Sequence, residues 1–419
     1  MRFLAILLVL AVAPPLFAQK FFHTTGALPA QNSFYADVRS VSGNCRVLSG
    51  RSQTDVGWQG YVYDDVTGSL TNIGTTLQGT AGADGLSFDG SRMVRQFFYM
   101  DPTTSGWTQL PGALDASTIS SDGNVVFGEI YGAPYRWDFG GPLLALTPAL
   151  EFFGESNADG SAVACISSGG ATQPLPAVWT LTSGFTLLPS INNMGGYAVG
   201  ISPSGDRVVG ASRFGPTSSR KAVYWRQQGP SWALTEIGQL NGHESTTATD
   251  VAAGGSPIVG YADVGFDEVA FIWTPELGMM TMAQYLSMSG LNVAGWMFES
   301  AHVSEDGWTF AGHGRNPAGQ KEGWVASVRA LFKRGDCNGS GATDIADGVF
   351  VLLHLFASTG NPPCADACDA NDSGIVDIAD AVQILTHLFQ SGPLPTPNVQ
   401  CGVDDTPDAT FCATFAPCN

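Results

Sequence analysis

A ten-residue unit that recurs seven times between residues 20 and 330 limits the fold of this chain more than any other feature. The unit is clearest at Ile119–Gly128 (ISSDGNVVFG) and returns as ISPSGDRVVG at Ile201–Gly210. Each copy centres on a turn dipeptide such as Asp-Gly or Ser-Gly, because Gly tolerates a positive φ. The second turn residues are Cys45, Gly90, Gly123, Gly160, Gly205, Gly255 and Gly307. Their spacing averages about 44 residues, which is typical of the blades of a β-propeller.

Each unit continues with an apolar strand that ends in an aromatic residue, such as Ala222–Trp225 (AVYW), and then with a short fourth strand, such as Ala233–Gly238. The seventh unit lacks this fourth strand, whereas Phe22–Pro29 matches the fourth-strand segment Leu234–Leu240. We therefore predict an all-β fold, a seven-bladed β-propeller closed by an N-terminal strand that pairs with the last blade. The unit resembles the HAF-type extracellular repeats, and this resemblance implies an architecture without implying an activity.

Two residue types within the units have a structural interpretation. The aromatic residues that end the third strands are predicted to pack between blades, although they could also stack on sugars: Trp137, Trp179, Trp225, Trp273 and Trp324. Cys45 and Cys165 replace glycines in blades one and four. Because those blades do not touch in a ring of seven, we expect two buried, unpaired thiols.

A second repeat lies near the carboxyl end, at Asp336–Asp347 (DCNGSGATDIAD) and Asp369–Asp380 (DANDSGIVDIAD). Each copy has Asp, Asn and Ser at positions 1, 3 and 5, Gly at 6, and Asp at 9 and 12. Calcium prefers such an oxygen cage, and the Gly permits its sharp turn. An apolar helical stretch follows each loop, at Val349–Phe356 and Ala381–Phe389. The sequence therefore predicts a small α-helical, EF-hand-like domain that binds two calcium ions.

The paired loops resemble a type I dockerin, in which the helices present a face to a cohesin partner. The resemblance implies that the side chains at positions 1, 3, 5 and 12 and the carbonyl at position 7 bind calcium directly, and that position 9 acts through water. These residues are Asp336, Asn338, Ser340, Ala342, Asp344 and Asp347 in the first loop, and Asp369, Asn371, Ser373, Ile375, Asp377 and Asp380 in the second. Dockerins usually have Asp at position 5, so Ser there removes one charge per loop. The alternative is that calcium only folds a stable end and nothing docks.

Charge and cysteine content separate this end from the rest of the chain. Residues 335–419 contain eleven Asp and no Lys, Arg or Glu. The whole chain has 18 Lys and Arg against 37 Asp and Glu, which argues against a nucleic-acid partner. Six of the eight cysteines also lie here, and we interpret them as disulfides, with fifteen pairings open, in preference to a metal site at Cys364 and Cys368. The tail at Cys401–Cys418 resembles the ends of exported planctomycete-type bacterial proteins.

The first eighteen residues have one Arg, an apolar run and a small residue at a cleavage point after Ala18, which is typical of a secretory signal. No later stretch is apolar enough to predict a transmembrane helix. We therefore predict a secreted or cell-surface protein. The predicted organisation is a signal peptide at 1–18, the propeller at 20–330, the dockerin-like domain at 335–391 and a Cys-rich tail at 392–419.

Catalytic motifs such as HExxH and GxSxG are absent from the sequence. His243 lies in a predicted loop between blades, and Glu244 beside it could act in acid–base catalysis. The turn aspartates are interpreted as structural: Asp89, Asp122, Asp159 and Asp306. Variable loops between second and third strands form a candidate surface for a polysaccharide or a protein. These loops are Ser212–Arg220, Tyr261–Glu268 and His313–Lys321.

Two functions agree with these observations. We favour a secreted, non-enzymatic binding or scaffold propeller that a calcium-dependent module attaches to a cohesin-like protein or to a cell-surface component. The alternative is a carbohydrate-active enzyme, a polysaccharide hydrolase or lyase, with a catalytic propeller. A pocket at the ring centre separates them: converging carboxylates or a His would favour the enzyme, and a flat mouth lined by Gly and Thr would favour the scaffold.

Overall fold

The computed structural model describes residues 20–29, 35–74, 82–101, 106–146, 152–167, 173–215, 219–264, 267–357, 361–402, 412 and 415–418. The predicted signal peptide, Met1–Ala18, lies outside the described residues. The chain divides into a compact unit of Phe21–Val328 and a second unit formed by the residues from Arg329 onward. Within the described part of the chain, no helix has the length and the apolar character that crossing a membrane requires.

Seven antiparallel sheets succeed one another between residues 21 and 328 and form a seven-bladed β-propeller. The first strand, β1 (Phe21–Gly26), belongs to the last blade. Blade one contains β2 (Ala36–Val41), β3 (Val47–Thr54), β4 (Gly57–Asp64) and β5 (Ser69–Gly74). Blade two contains β6 (Gly85–Leu86), β7 (Met93–Arg95), β8 (Phe98–Met100) and β9 (Thr108–Gln109). Blade three contains β10 (Asp115–Ile119), β11 (Val125–Ile130), β12 (Ala133–Asp138) and β13 (Leu143–Ala145).

The remaining blades repeat this plan. Blade four contains β14 (Phe152–Ser156), β15 (Ala162–Ser167), β16 (Leu175–Thr180) and β17 (Gly184–Leu187). Blade five contains β18 (Gly196–Ile201), β19 (Arg207–Arg213), β20 (Arg220–Gln228) and β21 (Ser231–Gly238). Blade six contains β22 (Ser245–Val251), β23 (Ile258–Val264), β24 (Asp267–Thr274) and β25 (Gly278–Thr281). Blade seven contains β26 (Met297–Phe298), β27 (His302–Val303), β28 (Thr309–Arg315), β29 (Lys321–Ser327) and β1.

The turns after the first strands follow the predicted repeat. All seven second turn residues have a positive φ, from 55° at Cys45 to 82° at Gly307. Backbone hydrogen bonds join these turns from blade to blade, for example from the Phe88 amide to the Ser121 carbonyl (2.7 Å). The Glu305 amide of blade seven donates to the Gly43 carbonyl of blade one (2.9 Å), so the turns at the two ends of the series are also joined.

The N-terminal strand lies on the outer side of blade seven. β1 pairs antiparallel with β29, with Phe22 opposite Ala326 and Thr24 opposite Trp324. The segment predicted for this role, Phe22–Pro29, extends beyond the strand, which ends at Gly26.

Packing between blades supplies the core of the propeller. Trp225 is fully buried and belongs to the same hydrophobic cluster as Ala164 and Val178 of the preceding blade. The Trp179 ring contacts Phe127 of blade three edge-on, with ring centroids 5.7 Å apart. The predicted packing role of these aromatic residues is therefore confirmed. The expectation that Cys45 and Cys165 are buried and unpaired is also confirmed.

Helices are few in the described residues. The propeller contains α1 (Met282–Met288) between β25 and β26, and the C-terminal unit contains α2 (Ile345–Ala357), α3 (Ala365–Cys368) and α4 (Ile378–Gln390). Short 3-10 turns lie at Pro111–Ala113, Ile191–Asn193 and Ala416–Cys418. α1 was not predicted. Both α2 and α4 begin earlier than the predicted apolar stretches, inside the repeated loops.

Three disulfides hold the C-terminal unit together and select one of the fifteen pairings. They are Cys337–Cys368, Cys364–Cys412 and Cys401–Cys418. The disulfide interpretation of these cysteines is thus confirmed. Such bonds indicate an oxidising environment, extracellular or periplasmic.

Candidate functional sites

The first residue of each repeated loop is a fully buried aspartate whose carboxylate accepts hydrogen bonds from amides of the same loop. Asp336 accepts hydrogen bonds from the amides of Ser340 (2.9 Å) and Gly341 (2.7 Å). Asp369 makes the equivalent bonds to the two amides at the same loop positions, at 3.0 and 2.7 Å. The two loops therefore fold in the same way, and the Cys337–Cys368 disulfide joins them directly beside these aspartates.

The last residue of each loop is an aspartate whose carboxylate accepts hydrogen bonds from amides in both halves of the loop. Asp347 is buried and accepts from the amides of Asn338 (3.0 Å) and Asp344 (2.8 Å). Asp380 repeats this arrangement with the amides of Asn371 (3.2 Å) and Asp377 (2.7 Å). The carboxylates at positions 1 and 12 are thus both held by backbone amides of the same loop.

The other predicted calcium ligands lie at the outer side of the loops. The hydroxyls of Ser340 and Ser373 donate to the carbonyls of Ala342 and Ile375, each at 3.2 Å, so positions 5 and 7 adjoin. Asp344 and Asp377 accept from amides two residues ahead, at 2.7 and 2.6 Å, and so begin α2 and α4.

Electrostatics within the loops favour a bound cation. Burial, together with the charges of Asp369 and Asp377, raises the pKa of the Asp380 carboxyl to about 6, although hydrogen bonds from the amides of Asp377 and Asn371 oppose the shift. Burial, with the charges of Asp336 and Asp344, likewise raises the pKa of Asp347. Each loop therefore contains carboxylates that repel one another, and all of its predicted metal ligands are oxygen atoms. The residues present fit calcium, which takes six to eight such oxygens.

The helices after the loops expose an apolar face. Ile345, Val349 and Phe356 on α2 are 56, 48 and 73% exposed. The residues at the same positions of the second copy are Ile378, Val382 and Phe389, with exposures of 55, 58 and 70%. The two helices thus present the same apolar side chains to the same extent, while Val351 and Ile384 face the core between them.

A cavity of about 230 Å³ occupies the axis of the propeller. Residues from the innermost strand of every blade line it. One layer of the channel is formed by the residues five positions before the second turn residues, all of which except Gly200 line the cavity: Ser40, Gly85, Thr118, Glu155, Gly200, Asp250 and His302. Small residues in this layer leave the axis open, so that the three larger polar side chains extend into it.

Glu155, Asp250 and His302 come together in this channel. The Nδ1 atom of His302 lies 3.8 Å from a Glu155 oxygen and 3.7 Å from the Asp250 Oδ2 atom. Asp250 is held in place because its two oxygens accept from the amides of Val251 (2.7 Å) and Val303 (2.9 Å). Burial raises the pKa of Glu155 well above its ordinary value, and the charge of Asp250 adds to this effect.

The pairing of the inner strands is irregular beside two of these residues, Glu155 and Asp250. The pairing of β14 with β15 shifts register between Phe153 and Ser156, beside Glu155. The pairing of β22 with β23 shifts between Ala248 and Asp250. β-Bulges of this kind turn a side chain to a new direction and are common next to functional sites.

Other predicted site residues lie elsewhere. His243 and Glu244 occupy the loop between β21 and β22 and do not line the channel; the His243 ring bonds to the Asn241 carbonyl (3.0 Å). The turn aspartates serve their turns, as predicted: Asp122, for example, accepts from the Asn124 amide (2.9 Å). Of the three predicted binding loops, the first two lie partly outside the described residues.

Comparison with known proteins concerns the fold alone. No protein-family model matches the chain, and no curated protein matches it. An oligogalacturonate lyase in complex with manganese is 12% identical over 74% of this chain and 98% of its own, with a TM-score of 0.48. The oligogalacturonate lyase of Vibrio parahaemolyticus gives 10% identity, the same coverages and the same TM-score.

TolB from Acinetobacter baumannii is 20% identical over 48% of this chain, with a TM-score of 0.34, and the chain spans about half (54%) of the length of that TolB. By its fold, the protein is a seven-bladed β-propeller with an additional helical unit that contains three disulfides. The resemblances to HAF-type repeats and to a dockerin remain predictions.

Proposed function

We propose that this chain is a secreted, non-enzymatic binding or scaffold propeller, closed by β1, whose dockerin-like C-terminal module attaches it to a partner in a calcium-dependent way. The observation that carries the proposal is the duplication within this module. Both loops repeat the same hydrogen bonds around two buried aspartates, and both following helices expose the same apolar face.

Two calcium ions would be held by the twelve loop residues named above. The ions would neutralise the carboxylates at positions 1, 9 and 12; burial first, and the charges of these neighbours second, raise the pKa values of Asp347 and Asp380. Because positions 1 and 12 already lie within one hydrogen-bonded loop, little reorganisation is needed for them to bind.

The docking partner would be a protein with an apolar surface, such as a cohesin-like domain. Three exposed apolar side chains recur on α2 and α4 at the same positions, so the module offers two equivalent faces. A partner that recognises one face can then recognise the other after a half-turn. The alternative occupant is a second copy of this chain.

Calorimetric titration of the full chain with calcium tests the metal part. We expect two ions per chain, and loss of both sites in the Asp336→Ala, Asp369→Ala double variant. Asp159→Asn, which keeps the hydrogen-bonded geometry of a propeller turn, is the matched control and should bind as the unchanged chain does. Retention of both sites in the double variant would defeat the ligand assignment.

Titration with a type I cohesin domain, in calcium and in a chelator, tests docking. Val349→Asp and Val382→Asp should each leave one competent face and retain binding, and the double variant should lose it while still binding calcium. No binding by the unchanged chain refutes the docking part. Concentration-dependent dimerisation in sedimentation, abolished by the double variant, would assign the face to self-association.

The channel supports the second candidate, a polysaccharide hydrolase or lyase. Its wall contains converging carboxylates and a His, the arrangement expected of an enzyme, in place of a flat mouth. Its volume of about 230 Å³ is nevertheless below the range of about 300–1,000 Å³ usual for sites of drug-sized ligands. A depolymerisation screen decides: activity on a polysaccharide that Asp250→Asn abolishes would establish the enzyme.

A further inference from the structure

The spacing of Glu155, Asp250 and His302 is too long for direct hydrogen bonds. An N–H···O bond joins atoms about 2.7–3.2 Å apart, whereas the His302 Nδ1 atom is 3.7 and 3.8 Å from the two carboxylate oxygens. All three ligand atoms lie within 4.8 Å of one another. Ligand atoms bound to one metal ion at about 2.1 Å are separated by about 3–4 Å. A single cation therefore fits between them after small side-chain adjustments.

The layer of the channel that contains these residues has room for an ion. Glu155, Asp250 and His302 come from blades four, six and seven, and Gly200 of blade five occupies the corresponding position between the first two. A side chain at Gly200 would begin 2.2 Å from the Thr249 carbonyl oxygen, so the backbones approach closely there. Gly200 therefore adds no side chain to this layer of the channel.

Neighbouring contacts hold the ligands for this role. The Val303 amide adjoins His302 in the chain and donates to Asp250, so one hydrogen bond couples a ligand of blade six to a ligand of blade seven. Both oxygens of Asp250 keep a lone pair after these bonds. Such fixation of ligands by their neighbours is typical of metal sites and affects affinity by about 10–100-fold.

The charge of the wall also favours a cation. Asp84 and Glu305 line the same cavity, and Arg39 is the one Lys or Arg among the described residues that do so. One carboxylate oxygen of Glu305 is buried without a hydrogen-bond partner. The wall therefore contains the carboxyl groups of Asp84, Glu155, Asp250 and Glu305 against the single guanidinium of Arg39.

We propose that Glu155, Asp250 and His302 bind one divalent transition-metal ion, of the zinc type, in the axial channel. One imidazole nitrogen and two carboxylate oxygens suit such an ion better than calcium, which takes oxygen ligands only. Three protein ligands leave at least one coordination position open towards the cavity, as in zinc sites that bind water or a small ligand. This site is separate from the calcium loops and does not depend on the attachment function.

The test is a calorimetric titration of the chelator-treated full chain with Zn²⁺ in excess calcium, which occupies the C-terminal loops. We expect a channel site of one Zn²⁺ per chain whose affinity falls at least tenfold in Glu155→Gln, Asp250→Asn and His302→Gln. His243→Gln and Asp159→Asn are matched controls outside the channel and should leave the affinity unchanged. Zn²⁺ binding that persists in the triple channel variant, or no binding at all, overturns the proposal.

Cobalt substitution provides a measurement that needs no variant to fold. The Co²⁺-loaded chain should show visible d–d absorption, and X-ray absorption should show one nitrogen and at least two oxygen neighbours. An all-oxygen shell, or equal competition by calcium for the channel, overturns the assignment of a transition metal. Tryptophan fluorescence checks that each variant is folded, because all ten tryptophans lie in the propeller.

Discussion

His313 makes the stability of the propeller depend on pH. Its side chain lies on β28 with 13% exposure, and its Nδ1 atom is 2.9 Å from the Ser300 hydroxyl. Burial, reinforced by the charges of Lys321 and His302 and opposed by that of Asp37, lowers the pKa of His313 to about 3. The folded propeller thus keeps this ring neutral at pH values at which the unfolded chain protonates it.

The sign and size of the effect follow from linkage. Above pH 6.5 the ring is neutral in both states and contributes nothing. Below it, the unfolded chain gains a proton that the folded chain does not, so the free energy of unfolding falls by about 1.4 kcal/mol per pH unit until about pH 3. Between pH 7 and 5 the loss from this residue is about 2 kcal/mol. The carboxyls with raised pKa values act in the opposite direction, so the comparison must be made with a variant.

The variant His313→Asn provides this comparison, because the side-chain amide of Asn can still form a hydrogen bond with Ser300 but does not titrate. Urea unfolding followed by tryptophan fluorescence reports on the propeller alone. At pH 7 the variant should be the less stable of the two, since the smaller side chain leaves a cavity. From pH 7 to 5 the unchanged chain should lose about 2 kcal/mol relative to His313→Asn. Parallel pH profiles for the two proteins would refute the assignment of a depressed pKa.

Three further outcomes are expected. Trp225→Ala should lower the free energy of unfolding of the propeller by about 3–5 kcal/mol, because the residue is fully buried between blades, whereas the exposed Leu187→Ala should change it by less than about 0.5. Gly50→Ala should cost about 3 kcal/mol, since a Cβ there would lie 1.9 Å from the Asp37 carbonyl oxygen, and Gly106→Ala, which meets no neighbour within 4 Å, should be tolerated in the same assay. Reduction by dithiothreitol should abolish the helical circular dichroism of the C-terminal unit and leave tryptophan fluorescence unchanged, because each of the three disulfides in that unit contributes about 2–5 kcal/mol.

The ring of blades was predictable because its turns need a special backbone conformation. A positive φ favours Gly, so the turn residue marks each blade even where the strands differ in sequence. Cys45 is the exception among the seven, with a φ of 55°, and only its place in the series identifies it. The pairing of β1 with β29 could be inferred because the seventh unit ends one strand early.

Two features of the fold could not be obtained from the repeat. α1 interrupts the connection to blade seven, and its signal was local: Thr281 and Gln284 form a capping box at its start. That signal lay within a segment that a propeller would place in strands, so the periodicity concealed it. The disulfide pairing depends on distances between α3, the loops and the tail, which spacing along the chain does not contain.

The cluster in the axial channel consists of residues that are far apart in the sequence and close together in the structure. Glu155, Asp250 and His302 stand at one position of the repeat, so aligning the units would have placed them in one layer of the wall. Their type alone did not mark them, since most acids near these turns, such as Asp122, serve the turn itself. The bulge beside Glu155 and Asp250 does not distinguish them either, because the same irregularity occurs in blades one, three and five, where the residues at this position are Ser40, Thr118 and Gly200. The arrangement of blades four, six and seven around one axis brings the ligand atoms of these three residues within 4.8 Å of one another, although the residues are far apart in the chain.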